Sequence, residues 1–162
     1  MISSKVLNCG NTIIGRGSES LILKINEKLV ARIPKRCLEC PVSKDDASLR
    51  KELHIQRRVH SVGISSAKPY GISLIESTIF GDLKVNPGLI LELLIGVNGE
   101  VLARQNITKY WKARNQYGVE IRKAIRHGIT PKDVNDKNYL FNFEEEIVYV
   151  CDTARWIVED SN

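Results

Sequence analysis

Residues 131–140 read PKDVNDKNYL, and fourteen residues after Asn138 the chain reaches Asp152, at the end of a second apolar run. The stretch contains a carboxylate, Asp133, and an amide, Asn138, five positions later. Phosphoryl transfer needs a carboxylate that orients a hydroxyl group, together with neutral and charged oxygen ligands that hold Mg²⁺ against a triphosphate. The spacing is typical of such a site. The pattern Asp-x-x-x-x-Asn is common by chance, so its value as evidence for a phosphoryl-transfer site depends on the elements that precede it.

The composition is that of a globular protein, with 162 residues of which 43% are hydrophobic and 27% are charged. This length predicts one domain, or one domain with a small appendage. Lys and Arg (24) exceed Asp and Glu (19), but the basic residues are scattered and never form five consecutive like charges. This distribution favours solvated helix faces, and it suits an anionic ligand such as ATP or an acidic partner. A nucleic-acid surface is not favoured, because only 6% of residues are aromatic and Tyr110, Trp111 and Tyr117 fall on a predicted helix.

Apolar segments and cysteines restrict the location of the protein. The longest apolar stretch, residues 88–97, is too short to span a bilayer and includes Glu92. No apolar core of a signal peptide follows Met1. Of the four cysteines, only Cys37 and Cys40 have the spacing of metal ligands, and no second pair accompanies them. We expect no membrane contact. We also expect free thiols in preference to a zinc site. Free thiols are typical of a reducing compartment, which indicates the cytoplasm of the producing cell or of a host.

Hydrophobic periodicity predicts an α+β protein. Strands are predicted at residues 12–14, 21–25, 29–33, 70–75, 78–85 and 89–95, with breaks at Lys68-Pro69 and Asn86-Pro87-Gly88. A loop is predicted at residues 35–44, a helix capped by Ser43 or Asp45 at residues 45–62, and a hinge at Gly96-Val97-Asn98-Gly99. Residues 107–126 form either one helix, capped by Asn106, or two helices broken near Asn115 and Gly118. A hairpin is predicted at residues 139–143 and 147–151. These elements make a mostly antiparallel sheet with one inserted helix, then a hinge, then a small helical part.

In this order the elements resemble the protein-kinase fold from about Ile14 to Ala154. Gly15-x-Gly17-Ser18-x-Ser20 is similar to the glycine-rich loop that covers the triphosphate, except that Ser20 replaces the third glycine. Val30-Ala31-Arg32-Ile33 is similar to the strand whose lysine contacts the phosphates, with Arg32 in the lysine position and Lys35 as the nearest alternative. Glu52 resembles the helix carboxylate that pairs with that cation.

The resemblance also implies roles for the second half of the chain. Val30 and Leu91 would line the adenine pocket, and the Glu92 carbonyl and Leu94 N–H would contact the base edge. Asp133 resembles the base that accepts the substrate proton, while Asn138 and Asp152 resemble the ligands of Mg²⁺. Asp133-x-Asn135-x-x-Asn138 is also similar to small kinase-like effectors of pathogenic bacteria and to the PhoP-regulatory-network kinase-like proteins of enterobacteria.

The chain departs from the kinase pattern at several points. Pro131-Lys132 replaces the usual His-Arg, and Thr153-Ala154 replaces Phe-Gly after the metal aspartate. No activation segment follows. The resemblance therefore implies an N-lobe at residues 1–96, with the helix at 45–62, and a strongly truncated C-lobe at 97–162, with the catalytic-loop-like segment 131–140 and the hairpin 139–153.

The implied function is Mg-ATP binding between these lobes, with transfer of the γ-phosphoryl group to a hydroxyl of a protein or small-molecule substrate. In this reading Asp133, Arg32 and Glu52 are catalytic residues. The alternative is a pseudokinase that acts by binding a protein partner.

Overall fold

The computed structural model of the protein describes residues 2–8, 12–17, 19–39, 46–78 and 81–159. The chain divides into two compact units. Unit 1 comprises residues 1–53 and 68–93, and unit 2 comprises residues 54–67 and 94–162. The boundary expected between residues 96 and 97 lies three residues after the change at residues 93 and 94, and residues 54–67 group with unit 2.

Unit 1 is built on one six-stranded sheet. It contains β1 (Ile2–Asn8), β2 (Ile13–Arg16), β3 (Ser20–Lys24), β4 (Leu29–Pro34), helix α1 (Lys35–Glu39), the first half of helix α2 (Asp46–Ser61), β5 (Pro69–Ser77) and β6 (Lys84–Glu92). The strand order is β1-β5-β6-β4-β3-β2. All neighbours are antiparallel except β1, which pairs with β5 in parallel. The predicted α+β class, with a mostly antiparallel sheet and an inserted helix, is confirmed.

A single strand, β6, replaces the two strands predicted at residues 78–85 and 89–95, so that prediction is wrong. β5 continues to Ser77, and β6 runs through Asn86-Pro87-Gly88 without a break. β4 pairs only with residues Leu89 to Glu92 of β6, so at Pro87 one side of β6 forms no hydrogen bonds with β4. Proline is tolerated at such a position because it has no N–H to donate. Gly88 serves close packing, since an added Cβ would lie 2.9 Å from Ile75 Cγ1.

The start of the chain and the segment after β4 also differ from the sequence-based prediction. β1 was not predicted, and residues 35–39 form α1 instead of a loop. The packing of unit 1 explains this helix, because Cys37 is buried in a core cluster and Leu38 packs against it. Residues 40–45, which include Cys40 and both proposed caps of the next helix, lie outside the described residues. Within the described range, α2 begins at Asp46 and ends at Ser61.

Unit 2 combines three helical segments with short strands. It contains the second half of α2, β7 (Val97–Asn98), α3 (Gly99–Gln105), α4 (Ile107–Arg126), β8 (Ile129–Thr130), β9 (Tyr139–Asn142), β10 (Ile147–Val150) and β11 (Ile157–Val158). β10, β9 and β7 form one sheet, and β11 pairs with β8. The predicted helix at 107–126 is confirmed as one continuous helix, whose cap Asn106 accepts from Lys109 N. The predicted hairpin is confirmed in β9 and β10.

The segment expected to be a hinge contacts β9 in unit 2, with Gly96 exposed, Val97 and Asn98 partly buried and Gly99 buried. Val97 and Asn98 pair with β9, and the Asn98 side chain caps α3 by accepting from Val101 N. An added Cβ at Gly96 would lie 2.8 Å from Phe141 O. At Gly99 it would lie 2.3 Å from the Tyr139 hydroxyl oxygen. These glycines permit close approach to β9, which a sequence pattern cannot distinguish from flexibility.

Within the described ranges, no helix is both long enough and apolar enough to cross a membrane.

Candidate functional site

The loop between β8 and β9 is organised by the side chain of Asn135. Its Nδ2 donates to the carbonyl oxygen of Asp133 at 3.1 Å and to the Asp133 carboxylate at 2.9 Å. Its Oδ1 accepts from Lys137 N at 2.9 Å. Asp133 has φ of 57°, a left-handed conformation that aspartate tolerates better than most residues do. The exposed Asp133 carboxylate is therefore oriented by a neighbour two positions away.

Asn138 connects this loop to the segment that contains Asp152. The Asn138 side chain is buried, and its Nδ2 donates to Asp133 O at 2.6 Å. Its carbonyl oxygen accepts from Cys151 N at 2.8 Å, which extends the pairing of β9 with β10 by one step. Asn138 therefore lies opposite Cys151, next in the chain to Asp152. Since Nδ2 is used internally, Oδ1 is the atom that Asn138 can offer a cation, and no hydrogen bond from a described residue reaches it.

The residue after Asp152, Thr153, forms a buried hydrogen bond with Gln56 that the sequence analysis did not predict. Asp152 is exposed and has φ of 52°, and the next residue, Thr153, is 2% exposed. Thr153 Oγ1 donates to Gln56 Oε1 at 2.5 Å, and Gln56 Nε2 donates to Ala67 O at 2.8 Å. Gln56 is itself buried. The position of the Asp152 backbone thus depends on a glutamine almost a hundred residues earlier.

Replacing Gln56 with leucine is expected to lower the free energy of unfolding by about 2–4 kcal/mol, because Thr153 Oγ1 and Ala67 O lose their partner in a buried place. Adding Thr153→Val removes one of these unpaired groups. Urea unfolding of both single variants and the double variant should therefore give a favourable coupling of about 1 kcal/mol. Strictly additive losses would contradict a direct bond between the two side chains.

A second polar cluster supports the loop through Asp136. Tyr110 OH donates to Asp136 Oδ2 at 3.0 Å. Arg114 Nη1 donates to the Tyr110 oxygen at 2.6 Å and to Asp136 Oδ1 at 3.1 Å. The bond to Tyr110, followed by the charge of Asp136, raises the pKa of Arg114. The Asp136 carboxylate therefore connects the loop between β8 and β9 to helix α4. The sequence contained a signal only for the pair of Tyr110 and Arg114, which are four residues apart on a helix, and not for Asp136.

Two tyrosine side chains, Tyr117 and Tyr139, are buried in the core of unit 2. Burial, and to a smaller extent the charge of Asp136, raises the pKa of Tyr139. Burial, followed by the charges of Cys151, Asp133 and Asp136, raises the pKa of Tyr117 to about 12. The two rings pack with centroids 4.7 Å apart. Both hydroxyls are therefore neutral at physiological pH.

In unit 1 the structure brings Arg32, Glu52 and Ser20 together. Arg32 Nη1 lies 3.0 Å from Glu52 Oε1, and each side chain is only 12% exposed. Arg32 Nε donates to Ser20 Oγ at 3.2 Å. The register of β3 and β4 explains this contact, since Arg32 is opposite Ile22 and Ser20 lies two residues from Ile22 on the same face. Ser20, which replaces an expected glycine, thus helps to fix the cation.

The glycines before Ser20 have structural roles in this region: Gly15 lies close to a neighbouring strand, and the amide of Gly17 closes a turn. Gly15 belongs to β2, where an added Cβ would lie 3.2 Å from Ile22 Cγ1. Gly17 N donates to Ser20 O at 2.9 Å, so this amide is used in closing the turn. Ser18, also expected to contact phosphate, lies outside the described residues.

The residues expected around an adenine are distributed over both units. Val30 and Leu91 are cross-strand partners in β4 and β6 of unit 1. Glu92 N donates to Lys68 O at 2.9 Å, and Glu92 Oε2 accepts from Lys68 N at 3.1 Å. Leu94 belongs to unit 2, and among the described residues no backbone carbonyl accepts from its N–H.

Comparison with models of protein families finds no match, and neither does comparison with curated protein sequences.

Proposed function

We propose that this protein is a minimal kinase-like phosphotransferase that binds Mg-ATP and transfers the γ-phosphoryl group to a hydroxyl of a protein or a small molecule. One observation carries the proposal. The side chain of Asn138 donates to the Asp133 carbonyl oxygen, and its own carbonyl oxygen accepts from Cys151 N. Hydrogen bonds of one residue therefore connect the loop that contains Asp133 with the segment that contains Asp152. Asp133 and Asp152, which lie on either side of the hairpin of β9 and β10, thereby join a common framework that also contains the amide oxygen of Asn138.

The donor set fits Mg²⁺. Asn138 and Asp152 offer oxygen atoms, which this ion prefers. In the part of the chain that the structure describes, no group of three His, Cys, Asp or Glu side chains forms a closed metal site. Mg²⁺ does not need one, because it usually keeps waters and substrate phosphate oxygens as its other ligands. When bound, the ion would neutralise charge on the phosphates.

The protein groups would act by positioning and charge. Asp133 would orient the attacking hydroxyl and accept its proton while Asn135 holds the carboxylate in place. Arg32, fixed by Glu52 and Ser20, would present positive charge to the phosphates. In-line transfer depends mainly on such preorganisation, since the protein contributes little covalent chemistry.

The arrangement of unit 1 supports a kinase-like fold within this proposal. Arg32 lies on β4, a strand with neighbours on both sides in the sheet, and α2 carries the carboxylate that pairs with it. A cation on an inner strand paired with a carboxylate from the inserted helix is the arrangement that the kinase resemblance requires.

A pseudokinase that works through a partner is the second candidate. Two observations favour it. The amide of Gly17 is already bonded to Ser20 O, so it is not available to a phosphate. In addition, Ile107, Trp111 and Ile125 on α4 are more than half exposed, which is typical of an interaction surface. Both candidates would operate in the cytoplasm, where ATP is abundant.

Mg-ATP is expected to raise the melting temperature of the protein, whereas ATP with excess chelator should have a much smaller effect. Ligand at 100 times its Kd stabilises the folded state by about 2.7 kcal/mol. The shift should be lost in Asp152→Asn, which keeps a side chain suited to the left-handed backbone. Asp82→Asn, at another exposed aspartate, is the matched control. An equal shift in wild type and Asp152→Asn would rule out the metal site.

A further inference from the structure

Helix α2 presents a positively charged face to solvent. Lys51, His54 and Arg57 are exposed, and Arg58 is partly exposed. Because α2 is one continuous helix, the relative positions of these side chains follow from helical geometry. At about 100° per residue they lie within an arc of about 120°, and they span about 10 Å along the helix axis. We define these four residues as the α2 basic face.

No exposed carboxylate accompanies these cations within residues 47–61 of the helix. Glu52 is the only acidic residue in this range, and its side chain is 12% exposed and pairs with Arg32. The remaining exposed residues of the range are Ala47, Arg50, His60 and Ser61. The exposed surface of α2 over this range therefore contains no acid and no apolar side chain larger than that of alanine.

The fold does not use the cations of this face in salt bridges. Among the residues that the structure describes, none forms a salt bridge with Lys51, Arg57 or Arg58. On α4, by contrast, Lys112 pairs with Glu146. A cation in the last turn of a helix interacts favourably with the helix dipole, which explains Arg58 but not Lys51, in the first half of α2. The charge of this face is therefore available to a partner.

The composition of the face indicates which kind of anionic partner it fits. A helix that binds a membrane needs apolar side chains that enter the bilayer, whereas the apolar residues of α2, such as Leu49 and Val59, are buried in the protein. Proteins that bind single-stranded nucleic acid use aromatic side chains on which bases stack, and this face has none. Carboxylates on a protein surface require only the cations.

We infer that the α2 basic face binds an acidic helix of a partner protein. Lys51 and Arg58 are seven residues apart and lie on one side of His54, while Arg57 lies on the other side. A partner helix laid over His54 would pair two carboxylates, also seven residues apart, with Lys51 and Arg58, and a third carboxylate with Arg57. This inference goes beyond the proposed function and does not depend on it.

A second copy of the chain does not supply such a helix. Two α2 basic faces would bring like charges opposite each other, which disfavours self-association. In addition, no helix within the described part of the chain contains two acidic residues seven positions apart. The partner is therefore a different protein.

Fluorescence anisotropy with two labelled helical peptides of identical composition tests the inference. One peptide places Glu at seven-residue intervals along one face, and the other distributes the same residues around the helix. The first is expected to bind at least about fivefold more tightly, and its binding should weaken as salt rises because the ion pairs are exposed. Lys51→Glu with Arg58→Glu should weaken binding of this peptide about tenfold or more, and a peptide with Lys in place of its Glu residues should restore binding to this variant.

A matched control changes the net charge by the same amount elsewhere. Arg104→Glu with Arg122→Glu, at exposed positions of α3 and α4, should leave binding of the first peptide unchanged. Restored binding of the Lys peptide shows in the same experiment that the charge-reversed α2 variant is folded. Four results would each overturn the inference: no binding of the first peptide, equal binding of both peptides, an equal loss in the control variant, or tighter binding to duplex nucleic acid or to vesicles that contain anionic lipid.

Discussion

Replacing Asp133 with asparagine is expected to lower the rate of phosphoryl transfer about 10²- to 10⁴-fold, with little change in the affinity for Mg-ATP. Asp133 is the exposed carboxylate that Asn135 orients, whereas Asn138 and Asp152 supply the metal-binding oxygens of the proposed site. Asparagine retains an oxygen that can accept from Asn135, and it tolerates the left-handed backbone. The substitution therefore removes the base while leaving the loop intact.

Autophosphorylation and ATPase rates of wild type, Asp133→Asn and the control Asp82→Asn, measured with and without a cell lysate that supplies substrates, test this expectation. An unchanged rate in Asp133→Asn would exclude Asp133 as the base. If wild type binds Mg-ATP but none of the three proteins shows turnover, the pseudokinase function replaces the catalytic one. A missing Mg-dependent melting shift would reject the catalytic function and favour the pseudokinase that acts through a partner, since that candidate does not require metal-dependent nucleotide binding.

Replacing Gly99 with alanine is expected to lower the free energy of unfolding by about 3 kcal/mol or more. An added Cβ would lie 2.3 Å from the hydroxyl oxygen of Tyr139, 2.4 Å from its Cζ and 2.8 Å from Asp136 O. The Tyr139 ring cannot move away easily, because it is fully buried and packs on Tyr117. Gly99 N also donates to Asp136 O at 2.7 Å, so a shift of α3 would strain the loop that contains Asp133.

Urea unfolding provides the measurement, and Gly118→Ala provides a matched control of opposite sign. The same substitution on α4 meets only a flexible side-chain atom and should stabilise the protein by about 1 kcal/mol. A loss below about 1 kcal/mol in Gly99→Ala would mean that α3 and Tyr139 can separate without cost, and it would contradict the close packing at this position.

The local elements were largely predictable from the sequence. The 3.6-residue period and the cap Asn106 gave helix 107–126, and two apolar runs around a polar turn gave the hairpin that precedes Asp152. Errors occurred where tertiary packing overrides local preference. Pro87 lies inside β6 because the ladder with β4 does not extend to it, and residues 35–39 are helical because Cys37 is buried.

The residue types of the candidate site could be predicted from the sequence, but the buried residues that fix their positions could not. The spacing of Asp133 and Asn138 could be recognised, because both lie in one loop and their chemistry is visible in the sequence. The pairing of Gln56 with Thr153 could not be, since a buried glutamine has no periodic signal and its partner is 97 residues away. Likewise, nothing local distinguishes Asp136, which holds the loop on α4, from Asp133, which remains exposed.

The sequence alone determined the α+β class, the cap of α4 at Asn106 and the set of polar residues with the chemistry of a phosphoryl-transfer site, because these depend on local spacing and residue type. Only the tertiary structure decided which glycines serve close packing and which polar groups are oriented by buried partners. It also decided which face of α4 remains exposed. Such properties depend on contacts between segments distant in the chain, and local periodicity carries no information about them.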